Sequence, residues 1–212
     1  MSRIVKIGYL RPEPELIARA GRIIMDGGVI AYPTETVYGI GCSAFKADAV
    51  ARVYTIKRRD PNRAMILIAA DPIQISELVE TMPEPAEKLM EEFWPGPLTL
   101  VFQASPRLSE FAFRSSKTIA IRIPDCPVCL ALLKYCGDPL VSTSANLSGE
   151  PEAITAGQVA DTFGDALDLI LDGGETPAKA PSTLVDITRD PPRILREGAI
   201  SALEINTVLK IL

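Results

Sequence analysis

Helical and extended patterns alternate along nearly the whole chain, and this constrains the fold most, because each extended run needs a covering layer that the intervening helices supply. Leu16, Ile17, Ala20, Ile23 and Ile24 recur with helical spacing, so residues 13–26 read as an amphipathic helix closed by Gly27-Gly28. A strand over 29–32 follows and ends at Pro33. The helix predicted over 47–58 carries Val50, Val53 and Tyr54 on one face and precedes an apolar strand over 65–70. Helices over 73–80 and 85–93 lead to the rigid turn Trp94-Pro95-Gly96-Pro97, which launches a strand over 98–103. Residues 118–123 alternate cleanly, with Ile119, Ile121 and Ile123 on one face and Arg122 on the other. A helix over 128–135, a strand over 139–141, a helix over 156–163 and a strand over 167–171 come next. Two short strands, 183–188 and 193–196, are joined so tightly through Asp190-Pro191-Pro192 that they must run antiparallel, which makes the sheet mixed. Nothing repeats, and no linker is long or polar enough to separate one unit from another, so residues 1–212 read as a single α/β domain.

The chain contains no histidine, which removes the commonest general base and the commonest metal ligand. Any catalysis must rest on carboxylates, lysine, hydroxyls or electrostatic positioning, and no metal site is expected. Cys126-Pro-Val-Cys129 has the spacing of half a zinc or redox motif, but no second pair completes it, so Cys42, Cys126, Cys129 and Cys136 are expected to be small buried hydrophobes. With 27 acidic against 22 basic residues, the net charge of -5 argues against nucleic-acid binding through overall electrostatics. No apolar run is long enough to span a bilayer, and residues 1–10 lack the pattern of a signal peptide, so the expected compartment is the cytoplasm, with no membrane partner.

Against that acidic balance, two clusters stand out. Lys57 continues the inward stripe of its helix, with Arg58 and Arg59 beside it, and Asp60 before Pro61 is expected to stop the helix there. Ser142-Thr143-Ser144-Ala145-Asn146 reads as a hydroxyl-rich turn beyond a strand, where ligands gather in open α/β sheets. Taken alone, the first cluster is equally well explained as helix-end charge, worth roughly 0.3–1 kcal/mol, and the second as a capping turn. Thr34, Glu35 and Thr36 repeat the arrangement after Pro33, and Arg122 and Arg196 interrupt apolar strands, where burial demands an anion or an internal ion pair. Several cations and hydroxyl clusters, each at the end of an element, point to one polyanion pocket, most readily for ATP.

The segments 31–39, Lys57-Arg58-Arg59, 93–99, 142–149 and Arg196-Glu197-Gly198 resemble the YrdC-like family, in order, across a motif-bearing core of about residues 8–198. The likeness is strongest to its short bacterial threonylcarbamoyl-AMP synthases. The resemblance implies a single-domain YrdC-like fold, a twisted mixed sheet with helices packed on it and a concave basic cavity. It also implies a reaction in which L-threonine and bicarbonate give a carbamate that attacks the α-phosphate of ATP, releasing pyrophosphate. Thr34, Arg122, Ser142 and Ser182 would hold threonine. Arg59, Thr118, Ser144 and Arg196 would face ATP, with Lys57 and Asn146 completing a Lys-x-Arg and Ser-x-Asn tetrad; Lys57, Arg59, Ser144 and Asn146 are the expected catalytic set. Mg2+ would accompany the triphosphate, with no organic cofactor. A separate transferase complex, met only transiently, would carry the product to tRNA. This chain departs from relatives at Arg63, Ile68 and Glu152, so contacts made there do not carry over.

Two other readings stay open at this stage. One is an RNA-binding protein of the same family, touching phosphates weakly through Lys57, Arg58, Arg59 and Arg63; the other is a paralogous carbamoyl-adenylate enzyme of different substrate. The glycine, proline and alanine content of residues 173–181 permits a mobile cover over the site.

Overall fold

Val29 and Ala31 belong to one buried cluster and Ile30 and Tyr32 to another, and Val141 and Leu140 divide in the same way. Period-two alternation thus feeds two cores, one on each side of a sheet. The computed structural model describes residues 3–60, 65–106 and 117–211. Along these residues run β1 (Ile4–Lys6), α1 (Pro14–Met25), β2 (Ile30–Tyr32), β3 (Gly39–Ser43), α2 (Ala47–Ile56), β4 (Ile66–Ile68), α3 (Pro72–Leu78), α4 (Glu84–Phe93) and β5 (Leu98–Gln103). There follow β6 (Thr118–Arg122), α5 (Pro127–Cys136), β7 (Leu140–Ser144), α6 (Ala156–Phe163), β8 (Leu169–Asp172), β9 (Thr183–Asp186), β10 (Arg193–Arg196) and α7 (Ala202–Leu209).

The strands form one sheet in the order β1-β8-β2-β3-β7-β4-β6-β5-β9-β10. Four neighbouring pairs are parallel, β1/β8, β2/β8, β4/β6 and β5/β9, and the others are antiparallel, so the mixed sheet expected from the sequence is present. Helices α1 and α5 pack together over one face through Ile17, Ala20, Ile24, Leu132 and Leu133. The larger core, on the other face, takes Val50 and Val53 from α2, Leu89 from α4, Phe163 from α6 and Ile205 from α7. No helix among the described residues is long and apolar enough to cross a membrane.

Three elements lie outside the expectation. β1, β3 and α7 were not foreseen, and β7 runs on through Ser144, so the hydroxyls expected in a turn are strand residues. Their backbone is claimed on both sides: Ser142, Thr143 and Ser144 pair with Gly41, Ile40 and Gly39 of β3, and Ser142 also pairs with Ile66 of β4. Two ladders outweigh the local hydroxyl-to-backbone bonds that favour turns.

The end of α2 differs too. The helix stops at Ile56, before Asp60-Pro61 could act, because Arg58 takes a left-handed φ of 50°. Arg58 N–H then donates to Thr55 O at 3.1 Å and Arg59 N–H to Tyr54 O at 2.9 Å, a paired closure that normally places glycine where Arg58 stands. Replacing Arg58 by glycine should therefore raise the unfolding free energy by about 0.5–1 kcal/mol. Urea unfolding at neutral pH checks this; an unchanged or lower midpoint would contradict it.

Candidate functional site

The central strands β3, β7, β4, β6, β5 and β9 floor a cleft of about 310 Å³. Eight of the ten expected site residues line it: Thr34, Arg59, Thr118, Arg122, Ser142, Ser144, Ser182 and Arg196. Among the described residues three arginines converge there, and no carboxylate lines it. Such a wall attracts anions, while Val101, Ala120, Leu184 and Leu195 add an apolar side.

At one end, buried hydroxyls are ordered by a charge. Arg122 Nη1 donates to Thr36 Oγ1 at 3.1 Å, and the Thr34 and Thr36 hydroxyls lie 2.7 Å apart. Thr34 Oγ1 donates to Val37 O at 2.7 Å and accepts from Thr36 N–H at 3.1 Å. Since Thr34 uses its one proton on Val37, Thr36 must donate to Thr34 and accept from Arg122, which fixes every hydroxyl in the chain. Thr36 was not among the expected site residues, although its spacing from Thr34 carried the signal. Glu35, between the two, approaches Arg122 Nη1 at 3.5 Å.

Arg196 forms another part of the wall. Its Nη2 and Nε donate to Ser182 O at 2.8 and 3.2 Å, so it ties β10 to the start of β9 rather than pairing with the adjacent Glu197. Ser182 Oγ in turn bonds Thr99 Oγ1 at 2.7 Å. A side chain at Gly198 would collide with Pro181 O, so this close crossing needs glycine. Burial lowers the pKa of Arg196, Glu152 offsets this, and the like charges of Arg122 and Arg59 lower it further. Glu152 therefore lies within electrostatic reach of the arginines.

Lys57 and Asn146 do not line the cleft. Lys57 is fully buried, as its place on the inward stripe required. Its ammonium donates to Ser144 O, to Asn146 O at 2.8 Å and to Asn146 Oδ1 at 3.1 Å. Ser144 Oγ donates to the same Oδ1 at 2.7 Å, Asn146 Nδ2 donates to Glu150 O at 2.6 Å, and Ser148 N–H closes back on Lys57 O at 3.1 Å. Lys57 thus ties the end of α2 to the segment that carries Ser144, with its ammonium covered in this structure. Burial, then the nearby Arg59, lowers its pKa from 10.5 to about 8, opposed by Glu152.

Cys42, Cys126 and Cys129 are buried, as expected of small hydrophobes. The Cys126 and Cys129 thiols also donate to Pro33 O at 3.4 and 3.5 Å, which anchors the residue before Thr34. The stretch 173–181 is tied to that same loop: Ala178 N–H donates to Glu35 O and Lys179 N–H to Thr36 O, both at 3.1 Å, and Tyr38 Oη donates to Gly174 O at 2.7 Å. Arg63 lies outside the described residues.

The family model described as "Telomere recombination", labelled Sua5, YciO and YrdC, matches residues 22–198. A threonylcarbamoyl-AMP synthase of Bacillus subtilis (strain 168) is 40% identical over 194 residues, covering 91% of this chain and 56% of that protein. One from Vibrio vulnificus (strain YJ016) is 39% identical over 179 residues, 84% of this chain and 95% of that protein. The crystal structure of P. abyssi Sua5 complexed with L-threonine superposes with a TM-score of 0.93 at 36% identity, covering 98% of this chain and 61% of that one. The chain therefore spans less than two thirds of the longer relatives it matches.

Proposed function

Because this chain belongs to the Sua5/YciO/YrdC family, whose pattern covers residues 22–198, we propose that it is a threonylcarbamoyl-AMP synthase, forming threonylcarbamoyl-AMP and pyrophosphate from L-threonine, bicarbonate and ATP. The observation that carries this reading is the cleft itself, with Arg59, Arg122 and Arg196 converging on a hydroxyl-lined floor that, among the described residues, bears no carboxylate. A triphosphate and an amino-acid carboxylate need such a surface, and the apolar wall suits a base.

In this reading Arg122 takes the threonine carboxylate and Ser142 and Ser182 offer hydroxyls to its polar side chain, while Thr34, whose hydroxyl is already satisfied by Val37 and Thr36, shapes the wall beside them. Arg59, Arg196, Thr118 and Ser144 face ATP. Threonine binds as a zwitterion, its ammonium gives up a proton to solvent, and the freed amine joins the carbon of bicarbonate to give a carbamate with loss of water. A carbamate oxygen then attacks the α-phosphorus of ATP, and the bond from that phosphorus to the bridging oxygen breaks, releasing pyrophosphate. Negative charge spreads over the phosphoryl oxygens, and fixed guanidinium groups stabilise it without reorganising, so the chemistry needs no protein base. Among the described residues, no group of three or more acidic or thiol side chains could hold a cation. Magnesium would therefore enter as part of the substrate, chelated by the triphosphate. The product is a mixed anhydride, reactive enough to require prompt consumption, which fits a cytoplasmic transferase complex acting on tRNA as its user.

The test is pyrophosphate release from ATP by the purified protein. Turnover is expected only when L-threonine and bicarbonate are both present, and alanine at Arg59 should abolish it. Threonine-independent turnover, or full activity in the Arg59→Ala variant, would overturn the proposal.

A further inference from the structure

Among the described residues the cleft has no acidic lining, yet a carboxylate lies directly behind its floor. Glu35 stands between the two lining threonines, and its side chain is only 12% exposed. It faces Arg122, whose own side chain is 7% exposed, at 3.5 Å. Among the described residues, neither Glu35 oxygen has a hydrogen-bond partner, and Arg122 Nε has none either. A buried ion pair ordinarily survives only with close, bidentate geometry and every remaining donor and acceptor satisfied. This pair has neither, and its two charges remain incompletely neutralised at the point where the cleft begins.

We infer that Glu35 is a specificity-determining residue that makes the floor selective for a zwitterion, an α-amino acid carrying both carboxylate and ammonium, over a plain carboxylate of the same shape. The inference rests on the proposed threonine site. A cation alone would attract any small anion. With an anion fixed behind it, the attraction for a carboxylate is partly cancelled, and a ligand recovers the loss only by bringing a positive charge of its own. Glu35 acts through its field and through Arg122, because its oxygens are covered. Backbone bonds from the 173–181 stretch to the carbonyls of Glu35 and Thr36 hold the loop in register with Arg122.

The experiment is titration calorimetry on the full chain with L-threonine and with 2,3-dihydroxybutanoate of matching configuration, which has a hydroxyl in place of the ammonium. The wild-type protein should prefer threonine by at least about tenfold. In Glu35→Gln the ratio should collapse toward one, with threonine binding weakened and dihydroxybutanoate binding strengthened. Glu35→Asp, which keeps the charge, should keep the preference. Parallel weakening of both ligands in Glu35→Gln, or an unchanged ratio, would mark a merely structural role and overturn the inference. Should Glu35→Gln fail to fold, equal affinities in the wild type, or loss of the preference in Glu35→Asp, would overturn it, and a preference retained by both would support it. A wild type that binds neither ligand refutes the threonine site and this inference with it. One that releases pyrophosphate with threonine, but whose ratio ignores Glu35→Gln, refutes the inference alone.

Discussion

Replacing Lys57 by methionine is expected to lower threonine- and bicarbonate-dependent pyrophosphate release by about a hundredfold or more, although Lys57 does not line the cleft. The ammonium joins Ser144 O, Asn146 O and Asn146 Oδ1 at one point. Without it these oxygens lose their donor, and Ser144 Oγ is no longer held where the triphosphate is expected. The loss should fall on turnover and on ATP more than on threonine, whose proposed partners lie elsewhere in the cleft. Single-turnover kinetics with each substrate varied in turn separates these effects.

The same lysine carries a pH signature. Its pKa is about 8 when folded, against an ordinary 10.5, so between these values the unfolded chain binds the extra proton and the folded chain does not. The contribution of Lys57 to stability therefore rises with pH across this window and is at its lowest below pH 8. Activity should move the opposite way, falling above pH 8 as the ammonium loses a donor. Unfolding followed from pH 7 to 10.5 should show the rise in the wild type and its loss in Lys57→Met; identical pH dependence in the two proteins would refute the assignment.

Arg122→Leu should be more damaging still, with turnover reduced about a thousandfold and stability by roughly 3–5 kcal/mol, because Glu35 is left as an uncompensated buried charge. The double replacement Arg122→Leu with Glu35→Leu separates the two losses. Stability should largely return, since two apolar groups of similar volume take the place of a poorly bonded pair, while activity should not. If activity recovers with stability, Arg122 serves folding rather than the substrate.

How much of this was legible in the sequence depended on the kind of signal. Helical stripes such as Ile17, Ala20 and Ile24 located α1 to within a residue or two, because burial on one face repeats over three turns. β3 offered only Ile40 and Cys42, beside Gly39 and Gly41, too short and too glycine-rich to carry a period, and its conformation comes from pairing with β2 and β7. β1 is a three-residue edge strand with almost no pattern of its own. α7 was readable: Ser201 and Glu204 form a capping box, three residues apart as such boxes require. Among the expected site residues, charges interrupting apolar strands singled out Arg122 and Arg196, both of which line the cleft. The separation of Lys57 and Asn146 from the cleft was not legible, because residue type reveals a tie between elements but not which side of the wall it occupies.

The strand order has a consequence for how the protein is made. β1 pairs with β8, more than 160 residues later in the chain, and β5 pairs with β9 across some 85 residues. A nascent chain emerging from the ribosome acquires the Lys57 turn once β7 and the loop after it are out, but Arg196 arrives only with β10. Until then the cleft lacks one wall; earlier still, β1 and one edge of β2 wait unpaired for β8, and one edge of β5 waits for β9. Such long-range closure is slow, and it leaves strand edges open to wrong partners during synthesis. On the proposed function, nucleotide binding would report the finished product, because no N-terminal fragment that stops short of β10 contains all three cleft arginines, Arg59, Arg122 and Arg196.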